Sequence, residues 1–79
     1  MDLTKNQQEK LQKVKTYLRN IGKIYFKNNK LTRVRVGMSR GALRDVTVLL
    51  MKEGILVRYG TASNTFTYEV NFDLLNGVN

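Results

Sequence analysis

The side chains able to do acid–base, nucleophilic or metal chemistry are few and scattered in this chain, whereas those able to hold an anion are many and gathered. Histidine and cysteine are absent from its 79 residues. That removes disulfides, thiolate and imidazole metal ligands, and every triad built on those groups. General acid–base work needs a carboxylate pair, a histidine or a lysine perturbed in a pocket. The six acids stand singly, and Asp45 and Glu53 lie eight apart on one expected helix, a solvated or ion-paired placement. Gly37 and Gly41 lack the spacing and the lysine of a phosphate-binding P-loop. The expectation is a protein that is not an enzyme and carries neither metal nor cofactor.

The anion-holding groups are another matter. Fourteen Lys and Arg against six Asp and Glu leave a net charge of +8. From Lys10 to Arg44 the chain has eleven basic residues and no acid. A basic segment of this kind is the electrostatic footprint of a nucleic-acid binder; the alternative is a solvated face kept for solubility, although that use more often intersperses both signs. Seven aromatics (Tyr17, Tyr25, Phe26, Tyr59, Phe66, Tyr68 and Phe72) accompany the charge. Most fall on apolar faces and read as core. Phe26 and Tyr59 are the two whose faces stay open, and single-stranded nucleic acid stacks on such rings.

The length makes a single domain, 1–79, small enough that dimerisation or a partner would add useful stability. No apolar run approaches the ~20 residues of a membrane span, and the opening Met-Asp-Leu-Thr is unlike a signal peptide; the expected location is cytoplasmic, in the nucleoid or a host cytoplasm. Thr4 or Asp2 can cap a long helix from Lys5 to about Lys27, with Leu11, Val14, Leu18, Ile21 and Tyr25 on one stripe, widened by Tyr17 and Ile24. Gly22 weakens that helix and marks a bend or a close contact. Asn28-Asn29 is its expected end. The stripe serves either the domain's own core or a helix–helix dimer. Lys30 to Met38 fits a short helix, capped by Thr32 and closed by Gly37, or equally a strand alternating valines with arginines.

Met38 to Tyr59 is the segment the rest must cover. Ser39 is placed to cap a helix, Leu43, Val46, Thr47 and Leu50 recur at helical spacing, and Gly54 supplies a positive-φ stop. Ile55–Tyr59 and Thr65–Asn71 then read as two strands around a small polar tip, Gly60 to Asn64. Phe72 to Leu75 forms a terminal turn against the core, and Asn76 to Asn79 are loose. Ser39, Arg40, Gly41, Leu43, Val46, Leu50, Lys52, Glu53, Gly54, Ile55 and Leu56 together resemble the third helix and first wing strand of the winged helix-turn-helix superfamily. The resemblance implies an α+β fold: long N-terminal helix, short second element, recognition helix, two-stranded β wing.

The same resemblance implies that the helix 39–53 enters the major groove of double-stranded DNA. Arg40, Gly41, Arg44, Asp45 and Val48 then face outward, with Arg40 and Arg44 near the end where base edges are met. An arginine fork matches guanine O6 and N7, or serves phosphates alone. Thr32, Arg33, Arg35, Ser39, Arg58, Lys23, Lys27 and Lys30 complete the expected DNA-binding set. Val48, Leu49 and Met51 are apolar beside it and suggest a homodimer contact, as does the first helix. The format is that of small regulators of transcription carried by phages, plasmids and archaeal viruses. Two other classes stay open: a single-stranded nucleic-acid binder for replication or processing, and a protein-interaction module.

Overall fold

The computed structural model describes residues 3–62 and 65–77, and their side chains apart from those of residues 60–62, 65 and 66. It is a mixed α+β fold with four helices and one three-stranded antiparallel sheet among the described residues. The order is α1 (Lys5–Ile21), β1 (Tyr25–Lys27), α2 (Lys30–Val36), α3 (Arg40–Lys52), β2 (Leu56–Ala62), β3 (Thr65–Val70) and α4 (Phe72–Leu75).

Local chemistry sets most of the boundaries. Thr4 begins α1 with a capping box: its hydroxyl accepts from the Gln7 N–H, and the Gln7 side chain accepts from the Thr4 N–H. Two orphan donors of the first turn are thereby satisfied. The alternative cap, Asp2, lies outside the described residues. At the other end Gly22 adopts φ 61° and returns its N–H to Leu18. The expected helix to Lys27 is therefore corrected: α1 stops at Ile21, because a left-handed glycine ends the ladder instead of bending it.

Beyond Gly22 the chain becomes a strand. Tyr25, Phe26 and Lys27 pair with Glu69, Tyr68 and Thr67 of β3, so the sheet order is β1-β3-β2. The expected two-stranded wing is thus corrected to a three-stranded sheet whose third member comes from the segment read as helix. β2 also runs further than expected, through Gly60 and Thr61 to Ala62, with an irregularity of register between Arg58 and Gly60 that leaves Tyr59 without a directly opposed partner. An extra residue of this sort twists and re-aims the strand locally. The tip at Ser63 and Asn64 lies outside the described residues, as does the far C-terminus.

The open segment at 30–38 is a helix. Its cap is Asn29, whose side chain accepts from the Thr32 N–H at 2.9 Å, so the expected capping role of Thr32 is corrected by three residues. α2 closes with Gly37 at φ 66°, its N–H returned to Val34, and the Met38 N–H to Arg33. α3 closes in the same way, with Gly54 at φ 80°, Gly54 bonded to Met51 and Ile55 to Leu50. Both endings are Schellman motifs, which consume the last carbonyls and turn the chain sharply. The second also brings Ile55 onto Leu50, both buried.

One core joins these pieces. Leu11, Val14 and Leu18 of α1, Val36 of α2, Leu43, Val46 and Leu50 of α3, Ile55, the inward sheet residues Phe26, Leu56, Tyr68 and Val70, and Leu75 of α4 are buried together. Burying each such side chain contributes roughly 1.5–3 kcal/mol. Thr47 sits among them with its hydroxyl donated to the Leu43 carbonyl at 2.8 Å, so the buried oxygen costs little. Of the expected stripe, Leu11, Val14 and Leu18 are consumed by this core and Tyr17 packs against it, whereas Ile21 is half-buried and Ile24 and Tyr25 are exposed. No helix among the described residues is long and apolar enough to cross a membrane.

Candidate nucleic-acid interface

The core face and the solvent face of α3 separate as helical spacing requires. Leu43, Val46, Thr47 and Leu50 are buried, whereas Arg40, Gly41, Arg44, Asp45 and Val48 are exposed. Ser39 caps the helix by accepting the Ala42 N–H at 3.2 Å, which leaves its hydroxyl proton available to a further acceptor. Leu49 and Met51 pack against the core, so the apolar set expected on the outer face shrinks to Val48, 39% exposed. A shallow groove of about 270 Å³ runs between α3 and the N-terminal half of α1, with Lys10, Gln7, Arg44 and Asp45 on its walls. Lys10, one of the basic residues of the first helix, stands beside Arg44 in this groove.

The expected cations divide into two kinds. Some are already engaged by the fold. Arg33 donates to both the backbone and side-chain oxygens of Asn28, at 3.3 and 3.2 Å, which ties the start of α2 to the end of β1. Arg19 donates to the Leu75 carbonyl at 2.7 Å and anchors α4. Lys15 lies 3.6 Å from the Glu53 carboxylate, a pair that joins α1 to the end of α3. Thr32 is only 7% exposed and lies at the base of α2, where it also lines the cleft of Lys23, Lys27 and Arg35.

The others stand at the surface. Arg40 and Arg44 hold the first turns of α3, and Lys30 opens α2; Arg58, on β2 in register with Tyr68, is exposed but also has an interaction within the fold. Lys23, Lys27 and Arg35 line a separate cleft of about 210 Å³ between the end of α1, β1 and α2. Tyr17, Ile21, Tyr25 and Leu31 supply its apolar walls, and no carboxylate lines it. Charge and aromatic surface meet there.

Of the two open rings, Phe26 is buried and Tyr59 is 66% exposed. Tyr25, read as part of a helical stripe, is 46% exposed on the outer face of the sheet. Its ring centre lies 5.1 Å from that of Tyr59, tilted by 47°, within the range of favourable aromatic pairs. The side-chain hydrogen bond with Tyr59, then that hydroxyl's charge when ionised, partial desolvation and Glu69 all push the Tyr25 hydroxyl above its ordinary pKa of 10.0. Tyr25 is therefore neutral at physiological pH. No local signal in the sequence marks the pair, because it depends on β1 and β2 flanking β3.

No grouping of acids among the described residues suits a metal ion. The arrangement offers anion-holding surface, donor forks and stacking surface. Compared with protein-family models, curated proteins and solved structures, the chain matches none.

Proposed function

We propose that this chain is a double-stranded DNA-binding regulator of transcription with a winged helix architecture, and that α3 enters the major groove. One observation carries the reading. α3 is capped by Ser39 and held by its own core face, while Arg40, Gly41 and Arg44 stand together at its exposed N-terminal end. An element order of helix, strand, helix, helix, strand, strand is compatible with that architecture. Gly41 admits close approach of the backbone to a base pair, since nothing lies within 4 Å of where its Cβ would be. Arg40 and Arg44 supply the donor forks that guanine accepts, and Lys10 beside Arg44 supplies a phosphate contact.

A homodimer belongs to the same proposal, since a two-fold pair would read half-sites about one helical turn apart. With Leu11, Val14 and Leu18 of α1 in the core, Val48 is what α3 contributes to such a contact. Sedimentation in the presence of duplex tests this part, and one protomer per site overturns it.

The deciding experiment titrates labelled duplex of mixed sequence at low and physiological salt, with the wild type and with Arg40→Ala/Arg44→Ala. The expected result is tight, steeply salt-dependent binding. The double variant should lose it while its thermal midpoint stays within about a degree or two, as exposed substitutions generally allow. Equal binding by the folded variant would overturn the assignment of α3.

A further inference from the structure

The outer face of the sheet carries surface that duplex binding through α3 leaves unused. Alternation along the strands turns Phe26, Leu56, Tyr68 and Val70 inward and leaves Tyr25, Lys27, Val57 and Glu69 outward. Tyr25 and Tyr59 stand on the two edge strands, with β3 between them. Their rings nevertheless come within 5.1 Å, so they lean toward one another across β3 and form a roof over it. Ile24 and Val57, 48% and 56% exposed, add apolar surface in a shallow groove that they share with Glu69.

We propose that this face binds an unpaired nucleic-acid strand, stacking a base on the Tyr25–Tyr59 pair and holding the adjoining phosphate in the cleft of Lys23, Lys27 and Arg35. Tyr25 belongs to both features, since it pairs with Tyr59 and also forms a wall of the cleft. Two exposed rings, tilted by 47°, beside a cleft lined by three cations and no carboxylate complement a nucleotide strand, which alternates a π-face with a negative charge. The cleft, at about 210 Å³, takes a phosphodiester and part of its sugar. Glu69, opposite both Tyr25 and Val57 in register, repels phosphate from the middle of the sheet. It thereby sends the backbone to the cleft side. Its carboxylate is also an acceptor for an amino group on the stacked base. The site lies on β1, β2 and the α1–α2 cleft, so it stands or falls apart from the duplex reading.

The test uses the full chain with fluorescein-labelled dT10, an abasic ten-mer of the same charge, and a mixed-sequence duplex. The variants are Tyr25→Ala/Tyr59→Ala, Tyr25→Leu/Tyr59→Leu and Lys23→Ala/Lys27→Ala/Arg35→Ala. Expected for the wild type is dT10 binding with quenching of tyrosine emission, and weaker binding of the abasic strand. Both tyrosine variants should bind dT10 at least about fivefold more weakly. The leucine pair keeps apolar bulk without a π-face, so it decides the matter if the alanine pair fails to fold. The triple cation variant should lose about 0.7 of salt slope on dT10 for each contact removed. Arg40→Ala/Arg44→Ala should leave dT10 binding unchanged, and the tyrosine variants should leave duplex binding unchanged. The proposal is overturned by absent dT10 binding, by equal binding in the folded leucine variant, or by dT10 binding that depends on Arg40 and Arg44. Self-association that the tyrosine variants abolish, without dT10 binding, would overturn it in favour of contact between copies. Absence of duplex binding by the wild type, with dT10 binding intact, would sink the α3 assignment and leave this site standing.

Discussion

Arg33 and Arg35 lie two apart on one short helix, yet their guanidinium groups do different work. Arg33 spends its donors on the two oxygens of Asn28, whereas Arg35 opens into the cleft with Lys23 and Lys27. Residue type alone does not distinguish them; the neighbour does. The tyrosine pair makes the same point with a measurable consequence. Tyr25 is raised chiefly by its hydrogen bond with Tyr59. Because an acid whose folded pKa lies above its unfolded value favours folding while protonated, the pair's contribution is complete at neutral pH. It is lost as the pH climbs through the folded pKa of Tyr25. In a tyrosine titration followed by NMR, Tyr25 should therefore ionise above the ordinary value. Tyr59→Phe, which removes both the hydrogen bond and the competing ionisation, should return it toward the ordinary 10.0, since the two largest causes of the shift are then gone. An unchanged Tyr25 in that variant would show that the two hydroxyls do not interact.

At the level of elements, most of the capping and the β2–β3 hairpin were legible, whereas the Gly22 stop, the Asn29 cap and the pairing of β1 were not. Ser39 and Gly54 mark the ends of α3, and Thr4 marks the start of α1, through capping chemistry that acts over about four residues. β1 was hidden because Tyr25 lies four residues after Ile21 and so continues the apolar stripe of α1. The same residues alternate as a strand. What decides between them is Phe26 pairing with Tyr68, far along the chain, and no local pattern carries that. The candidate site divided the same way. The outward face of α3 follows from spacing, while the Tyr25–Tyr59 pair depends on a β-pairing visible only in three dimensions. Two substitutions check the elements that were read correctly. Leu50→Ala, at a fully buried position, should cost about 2–5 kcal/mol in denaturant unfolding. Gly54→Ala should cost about 1–2 kcal/mol, since φ 80° is unfavourable for alanine and the new Cβ would stand 3.3 Å from Leu74 Cδ1. A near-neutral Leu50→Ala would contradict the packing of α3, and a near-neutral Gly54→Ala the left-handed turn behind it.

For the whole molecule, the count of charges overstates what a duplex can neutralise. If all eleven cations from Lys10 to Arg44 met phosphates, log K would fall with log salt at a slope near about −10. The fold removes three of them: Lys15 faces Glu53, Arg19 faces the Leu75 carbonyl, and Arg33 faces Asn28. Lys23, Lys27 and Arg35 line the cleft beside β1, which the unpaired-strand proposal assigns to a different ligand. That leaves Lys10, Lys13, Lys30, Arg40 and Arg44 for a duplex lying on α3. The expected slope is then about −4 to −5 per protomer, at ~0.9 per phosphate. Anisotropy titrations of one duplex between low and physiological salt measure it directly. A slope near the larger value would mean that the internal partners release their cations on binding, or that duplex also fills the cleft; Lys27→Ala/Arg35→Ala separates these, since only the second makes the duplex slope sensitive to that variant. At the expected slope the cleft cations take no part in duplex binding, as the independence of the two proposed surfaces requires.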